Sequence, residues 1–198
     1  MDQVKIGRFI SECRKKQNLT QSQLAEKLNI PFFDEELINH ASIESGLSED
    51  LLKEYDEKLD NMFSTSFMYD FNNETTFSQK VFIATANTIK NLASQSSCVV
   101  VGRCADYILK DYENLISIFI CAPTEDKINR AVKYYGIDKN KALNIIKKKD
   151  TKRRNYYNFY SDKEWGKANS YDICINSKIG IDECVDAIIA YLNSKLNK

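Results

Sequence analysis

Apolar residues recur at helical spacing near the start of the chain and predict two short helices there. Residues 4–16 carry apolar side chains three to four positions apart, with charged residues between them. A second helix is expected to begin at Thr20, since threonine is a good N-cap and Gln23, three residues later, completes a capping box. Pro31 prevents this second helix from extending further.

The same periodicity predicts helices along the rest of the chain, and one stretch lacks it. The weakly periodic stretch, residues 61–76, is rich in Asn, Ser, Thr and Phe and is interpreted as a mobile loop. The predicted helices cover residues 35–45, 48–60, 77–94, 104–110, 124–134, 138–149 and 181–196.

Short apolar runs between these helices predict strands. They lie at Phe32–Phe33, Cys98–Val101, Leu115–Ile120 and Tyr171–Ile175. Strands that alternate with helices indicate an α/β protein with a parallel sheet covered on both faces. The chain has no internal repeat, and a boundary is expected only near residue 30.

Composition and charge exclude several classes of protein. The chain has 198 residues, with 28 basic and 28 acidic side chains, so bulk charge favours neither a nucleic-acid nor a membrane partner. The six cysteines form no C-x-x-C pair, which argues against a zinc or redox motif, and several lie in apolar runs typical of buried thiols. No segment resembles a signal peptide or a membrane span. We therefore expect a cytoplasmic protein with reduced cysteines and no metal site.

Six segments of residues 31–198 stand out as motifs. In order they are PFFDEELI (31–38), ESGLSED (44–50), CVVVGRCADYIL (98–109), IFICAPTEDKINRAVKYYG (118–136), KKDTKRRNYYNFYSDKEWG (148–166) and YDICINS (171–177). Together they resemble the cytidylate kinase-like family, a branch of the nucleoside monophosphate kinases. The resemblance implies a P-loop nucleoside-kinase-like, three-layer α/β fold and phosphorylation of a nucleoside monophosphate, of the ATP plus CMP class.

The resemblance also implies residues that bind the acceptor nucleotide. Arg103, just after a predicted strand, matches an arginine that holds the acceptor phosphate, a role that suits the planar fork of a guanidinium. Asp172 matches an acidic residue near the acceptor sugar or base. Asp34 is a further candidate, because it follows a strand at the end where open α/β sheets bind ligands.

A lid is expected at about residues 138–168. The resemblance places Arg130 at its start, as a residue that binds the phosphorylated substrate, and makes Arg153 and Arg154 the arginines that close over the transferring phosphates. The basic run 147–154 is therefore interpreted as a lid, while a solvated helix face or a nucleic-acid patch with nearby tyrosines remain alternatives.

The first thirty residues resemble a different family. The segment KIGRFISECRKKQNLTQSQLAEKLNI is similar to the first two helices of a lambda-repressor-like helix-turn-helix domain. In that family a recognition helix follows and enters the major groove, whereas this chain continues directly into the kinase-like segment. Residues 1–30 are thus predicted to be a truncated helix-turn-helix-like segment. A DNA-binding regulator with a ligand-sensing domain is the alternative function, although the missing helix argues against DNA as a partner.

The kinase resemblance lacks one essential part. A glycine-rich loop should cradle the donor phosphates, because side chains would block the approach of the backbone. Residues 14–20, at the equivalent place, contain no glycine, and Gly7 stands alone. The sequence therefore predicts a degenerate kinase that keeps a nucleotide or another phosphorylated small molecule as its ligand, with ATP and Mg²⁺ as cofactors only if activity survives. If residues 4–16 are helical, the sheet lacks its central first strand and the flanking strands close together; the alternative is that Val4–Ile10 is drawn into strand form. A homodimer could cover any apolar surface left by a missing strand.

Overall fold

The computed structural model describes residues 20–34 and 77–196 of the chain. These residues belong to two compact units. The first contains residues 20–30 and 114–196, and the second contains residues 31–34 and 77–113. Residues 20–30 thus belong to the same unit as residues 114–196, and the domain boundary expected near residue 30 stays a prediction.

The second unit is built on a pair of short parallel strands. Strand β1 (Phe32–Phe33) pairs with β2 (Val99–Val100), with Phe32 opposite Val99 and Phe33 opposite Val100. The pairing continues one step further, since the Val101 N–H donates to the Phe33 carbonyl at 2.8 Å. A long helix, α2 (Phe77–Gln95), precedes β2 and packs against the short helix α3 (Ala105–Ile108).

The first unit contains the second parallel pair and most of the helices. Strand β3 (Ile118–Cys121) pairs with β4 (Ile173–Asn176) over four residues, with Ile118 opposite Ile173 and Cys121 opposite Asn176. The elements are α1 (Thr20–Leu28), β3 (Ile118–Cys121), α4 (Thr124–Tyr135), α5 (Lys139–Tyr160), a 3₁₀ turn (Ala168–Ser170), β4 (Ile173–Asn176), a second 3₁₀ turn (Ser177–Ile179) and α6 (Ile181–Leu196).

Helix α1 is part of the packing of the first unit, because it lies against α6. Its apolar face is buried at Leu24 and Ala25, and Lys27 Nζ lies 2.8 Å from Asp186 Oδ1 of α6. Three side chains of α6 are almost fully buried, namely Cys184, Val185 and Ile188. Apolar burial, at about 25 cal/mol per Å², is the main force that holds these two helices together.

The predicted mixture of helices and parallel strands is confirmed for the described residues. The helix expected to begin at Thr20 is found, and so are those expected at 77–94, 124–134 and 181–196, with small changes of length. The arrangement among these residues is two separate two-stranded sheets. The predicted elements at 4–16, 35–45, 48–60 and 61–76 lie outside the described residues. None of the described helices is long and apolar enough to cross a membrane.

The structure differs from the predictions at α5 and at the run YDICI. Helix α5 continues eleven residues beyond the predicted end at 149 and carries the whole basic run. Lysine and arginine are good helix formers, and no glycine or proline interrupts the chain before Gly166, so the helix continues without an apolar stripe. The run YDICI is buried on one side only. Ile175 is buried, while the free Cys174 points outward and is exposed, as the alternation of side chains along a strand requires.

Candidate functional site

The carboxyl edge of the β3–β4 pair is the edge where parallel sheets usually bind ligands. Arg130 of α4 reaches this edge, since its Nη2 donates to Ser177 Oγ at 3.1 Å. The buried Ser177 hydroxyl in turn donates to the Cys121 carbonyl, at 2.9 Å, where β3 ends. Arg130 is therefore held beside the ends of both strands, a position that suits the phosphate contact implied for it.

The arginines predicted for the lid lie on α5 and point to different partners. Asp138 caps the start of α5, since its side chain accepts a hydrogen bond from the Asn140 N–H at 2.8 Å. Arg153 Nη1 lies 3.3 Å from Asp150 Oδ1, and the side chain remains 64% exposed. The other oxygen of Asp150 accepts from Lys127 Nζ of α4 at 2.7 Å. Asp150 therefore connects α4 to Arg153.

Arg154 faces an aromatic cluster instead. Its guanidinium lies 5.9 Å from the centroid of the Trp165 ring, a distance at the outer limit of a cation–π contact. Trp165 meets Phe119 of β3 edge to face at 5.3 Å, and Phe119 stacks on Tyr171 at 5.0 Å. The same Tyr171 ring lies 6.3 Å from Tyr157 of α5. The aromatic cluster of Phe119, Tyr157, Trp165 and Tyr171 thus fastens the segment after α5 onto β3.

Gly166 lies within this aromatic cluster and has a backbone that favours glycine, with φ at +80°. A Cβ atom at this position would lie 3.3 Å from Phe119 Cζ. We expect Gly166→Ala to lower the free energy of unfolding by about 1–2 kcal/mol, because both the left-handed backbone and the close ring oppose the methyl group. Thermal or urea unfolding measures this. Gly136→Ala is the matched control for backbone strain alone, since φ is +62° there and nothing lies near the added Cβ. A larger loss at Gly136 would contradict the role of the ring.

Asp172 lies at the opposite edge of the same sheet, just before β4. Its Oδ2 accepts from the Ser117 N–H and the Ser117 hydroxyl, both at 2.8 Å, and its Oδ1 accepts from Lys195 Nζ of α6 at 3.3 Å. Lys195 also donates to the Leu115 carbonyl at 3.1 Å. The carboxylate therefore joins the starts of β3 and β4 to the end of α6.

Two opposing effects act on the pKa of Asp172. Burial raises it, but the hydrogen bonds from Ser117 and the ammonium group of Lys195 together lower it more, so the pKa lies below its usual value. The carboxylate is held in its charged form. This geometry favours a structural role, and the acceptor role implied for Asp172 stays a prediction.

The second unit carries the other two predicted residues at one edge of its sheet. Asp34 follows β1 directly, and Arg103 follows β2 after two residues, so both lie beyond the carboxyl ends of paired parallel strands. Arg103 is only 8% exposed. Its backbone is left-handed, with φ at +53°, and so are those of Gly102 (+76°) and Cys104 (+56°). Left-handed non-glycine residues cost of order 1 kcal/mol or more each and cluster at functional sites.

Cys104, beside Arg103, is buried and contributes no reactive thiol. Burial in the first place, and the nearby Asp106 in the second, raise the pKa of its thiol to about 12. The thiol is therefore neutral at physiological pH and behaves as a small apolar group. The expected buried, reduced cysteines are found here and at Cys184.

The sequence interpretation missed three residues that position the predicted arginines, namely Lys127, Asp150 and Ser177. A signal for Asp150 was present, because it lies three residues before Arg153 on a helix and such residues are neighbours on the helix surface. Ser177 and Lys127 come from other elements, so their spacing along the chain carried no signal. Within residues 20–34 and 77–196, no group of three or more His, Cys, Asp or Glu side chains is placed to hold a metal ion.

Comparison with known proteins places residues 21–179 within the model of the cytidylate kinase-like family. This match begins ten residues before the segment that suggested the family, so it includes nearly all of α1. An uncharacterized protein from Eubacterium ventriosum ATCC 27560, known from a crystal structure, is 32% identical in sequence to this chain. The match covers 88% of this chain and 89% of that protein's chain, with a TM-score of 0.68. No curated protein matches the chain.

Proposed function

Because this chain belongs to the cytidylate kinase-like family, we propose that it binds a nucleoside monophosphate of the CMP class, or another phosphorylated small molecule, and that its ATP-dependent activity is lost or vestigial. Arg103 is the proposed contact of the acceptor phosphate. Arg130, Arg153 and Arg154 are the proposed contacts of further phosphate oxygens.

The observation that carries the acceptor half of the proposal is the conformation of Arg103. The residue is only 8% exposed, and burying a charged group is costly. The left-handed backbone adds strain at the same residue. Strained backbone at a residue shortly after a parallel strand, where open α/β sheets bind ligands, supports a role in ligand binding. A guanidinium can bind a phosphate group in bidentate fashion.

The loss of the donor half rests on the sequence. Between Gly7 and Gly46 the chain contains no glycine. The donor phosphates need backbone N–H groups that approach them closely, and residues with side chains block that approach. Phosphoryl transfer depends almost entirely on positioning and on electrostatic stabilisation of the transferring group. Removing one preorganised donor from such a site costs about 10²–10³ in rate, so loss of the whole loop abolishes useful turnover.

Separate calorimetric titrations with CMP and with ATP–Mg²⁺ test the two halves. We expect CMP to bind and ATP–Mg²⁺ not to bind at micromolar concentration. CMP binding alone supports a degenerate kinase that retains its acceptor site. Micromolar binding of ATP–Mg²⁺ would overturn the proposed loss of the donor site, and absence of CMP binding would overturn the acceptor site. Cytidine without phosphate is the control, because it lacks the group that the arginines are proposed to bind.

A further inference from the structure

We propose that Asp150 acts as an internal competitor for phosphate, holding Arg153 in the absence of ligand and releasing it when a phosphate group binds. The inference rests on the proposed phosphate contact of Arg153 and extends it by naming the residue that sets its affinity. Asp150 would be a positioning residue, since it acts through Arg153 and Lys127 and has no contact with the ligand itself.

The geometry around Asp150 is asymmetric. One carboxylate oxygen accepts from Lys127 Nζ at 2.7 Å, and the other lies 3.3 Å from Arg153 Nη1. The side chains of Asp150 and Lys127 are 21% and 32% exposed, whereas that of Arg153 is 64% exposed. Asp150 is therefore fixed to α4 by a short and partly buried ion pair, and its contact with Arg153 is longer and open to water.

The two ion pairs differ accordingly in how easily they break. An exposed pair with i, i+3 spacing on a helix contributes little, because water screens both charges and two long side chains lose freedom. The shorter pair with Lys127 is less accessible to solvent and is screened less. Arg153 can therefore leave Asp150 at small cost, while Lys127 keeps the carboxylate in place.

A phosphate group is the competitor that this arrangement favours. A phosphate ester carries up to two negative charges and three acceptor oxygens, so it binds a guanidinium more strongly than one shared carboxylate oxygen does. The basic run around Asp150 would also attract it, since Lys147, Lys148, Lys149, Lys152, Arg153 and Arg154 surround a single acid in residues 147–154. Asp150 would in turn repel the phosphate and lower its affinity.

The test is the phosphate affinity of Asp150→Asn, a variant that keeps the shape of the side chain and an oxygen for Lys127. Inorganic pyrophosphate and CMP are each titrated calorimetrically into wild type, Asp150→Asn, Arg153→Ala and the double variant. We expect Asp150→Asn to bind both probes about three- to tenfold more tightly, because the competing charge and its repulsion are removed. The gain should disappear when Arg153 is alanine. Glu164→Gln is the matched control, since it removes the same charge from another exposed ion pair, with Lys167 at 3.3 Å.

The outcomes separate this inference from the proposed function. Equal or weaker pyrophosphate binding by Asp150→Asn, or an equal gain in Glu164→Gln, would overturn the role of Asp150. A gain that persists in the double variant would overturn the role of Arg153 as the released group. If pyrophosphate behaves as expected and CMP binds to none of the variants, the nucleotide in the proposed function is wrong and the competition stands. Melting temperatures of all variants show whether any loss of binding comes from unfolding.

Discussion

Arg103→Ala should weaken the binding of CMP by tenfold or more. Arg103 is buried and follows the carboxyl end of β2, where a bound phosphate would accept two charge-assisted hydrogen bonds from its guanidinium. Loss of one such contact corresponds to about 1.4 kcal/mol or more, which is a factor of ten in the dissociation constant. Calorimetric titration of wild type and variant with CMP measures the difference directly.

Arg103→Lys is the informative companion, because it keeps the positive charge and removes the fork. If bidentate phosphate binding is the role of Arg103, lysine should restore only part of the affinity. Unchanged CMP affinity in the alanine variant would overturn the assignment. The melting temperatures of both variants are needed as well, since a buried arginine also contributes to packing. A variant that remains folded and loses affinity supports the phosphate role.

Asp172→Ala should lower the free energy of unfolding by about 2–3 kcal/mol. The carboxylate accepts two hydrogen bonds from Ser117 and one from Lys195, and hydrogen bonds to charged groups contribute about 1.5–3 kcal/mol. Its removal leaves the Ser117 N–H without its acceptor at the start of β3. Urea unfolding measures the change. Asp162→Ala, which removes the same carboxylate from another exposed position that does not contact Ser117, is the control and should change stability by less than about 0.5 kcal/mol.

The contribution of Asp172 should also depend on pH in one direction. Because the folded-state pKa is lowered, the stabilisation is fully present above the unfolded value of about 3.9 and is lost as the pH falls through the folded value. The stability difference between wild type and Asp172→Asn should therefore be constant near neutral pH and shrink below about pH 4. A difference that grows in acid would contradict this account. Unchanged CMP affinity in a folded Asp172→Asn variant would favour the structural role over the acceptor role.

The sequence predicted the type of most described elements because their apolar periodicity is local. Helix α4 and helix α6 carry apolar residues at helical spacing and were located to within a residue or two. Strand β3 was placed too early, at 115, because Leu115 and Ile116 are as apolar as the strand itself. Its true start is set by Asp172, which pairs with Ser117 from a distance of 55 residues. No local pattern contains such information.

The candidate site was predictable in its residue types and less so in its partners. Arg103 after a strand and the arginines of the basic run were proposed from the resemblance and from the chemistry of phosphate binding. Their separation was not foreseen, since Arg153 and Arg154 are neighbours in sequence. On a helix, successive side chains point about 100° apart, so one meets Asp150 and the other faces Trp165. Which partner each side chain meets depends on helices and strands that pack from elsewhere in the chain.

Because α5 is long, a small tilt at its start would produce a large displacement of Arg153. Arg153 lies fourteen residues from Lys139, about 21 Å along the helix axis, so a tilt of about 10° at the Asp138 end would move the arginine by about 4 Å. The ion pair between Lys127 and Asp150 links α5 to α4 only three residues before Arg153. While that ion pair is intact, a tilt of α5 would have to carry α4 with it, and the movement of Arg153 would be limited to what both helices allow.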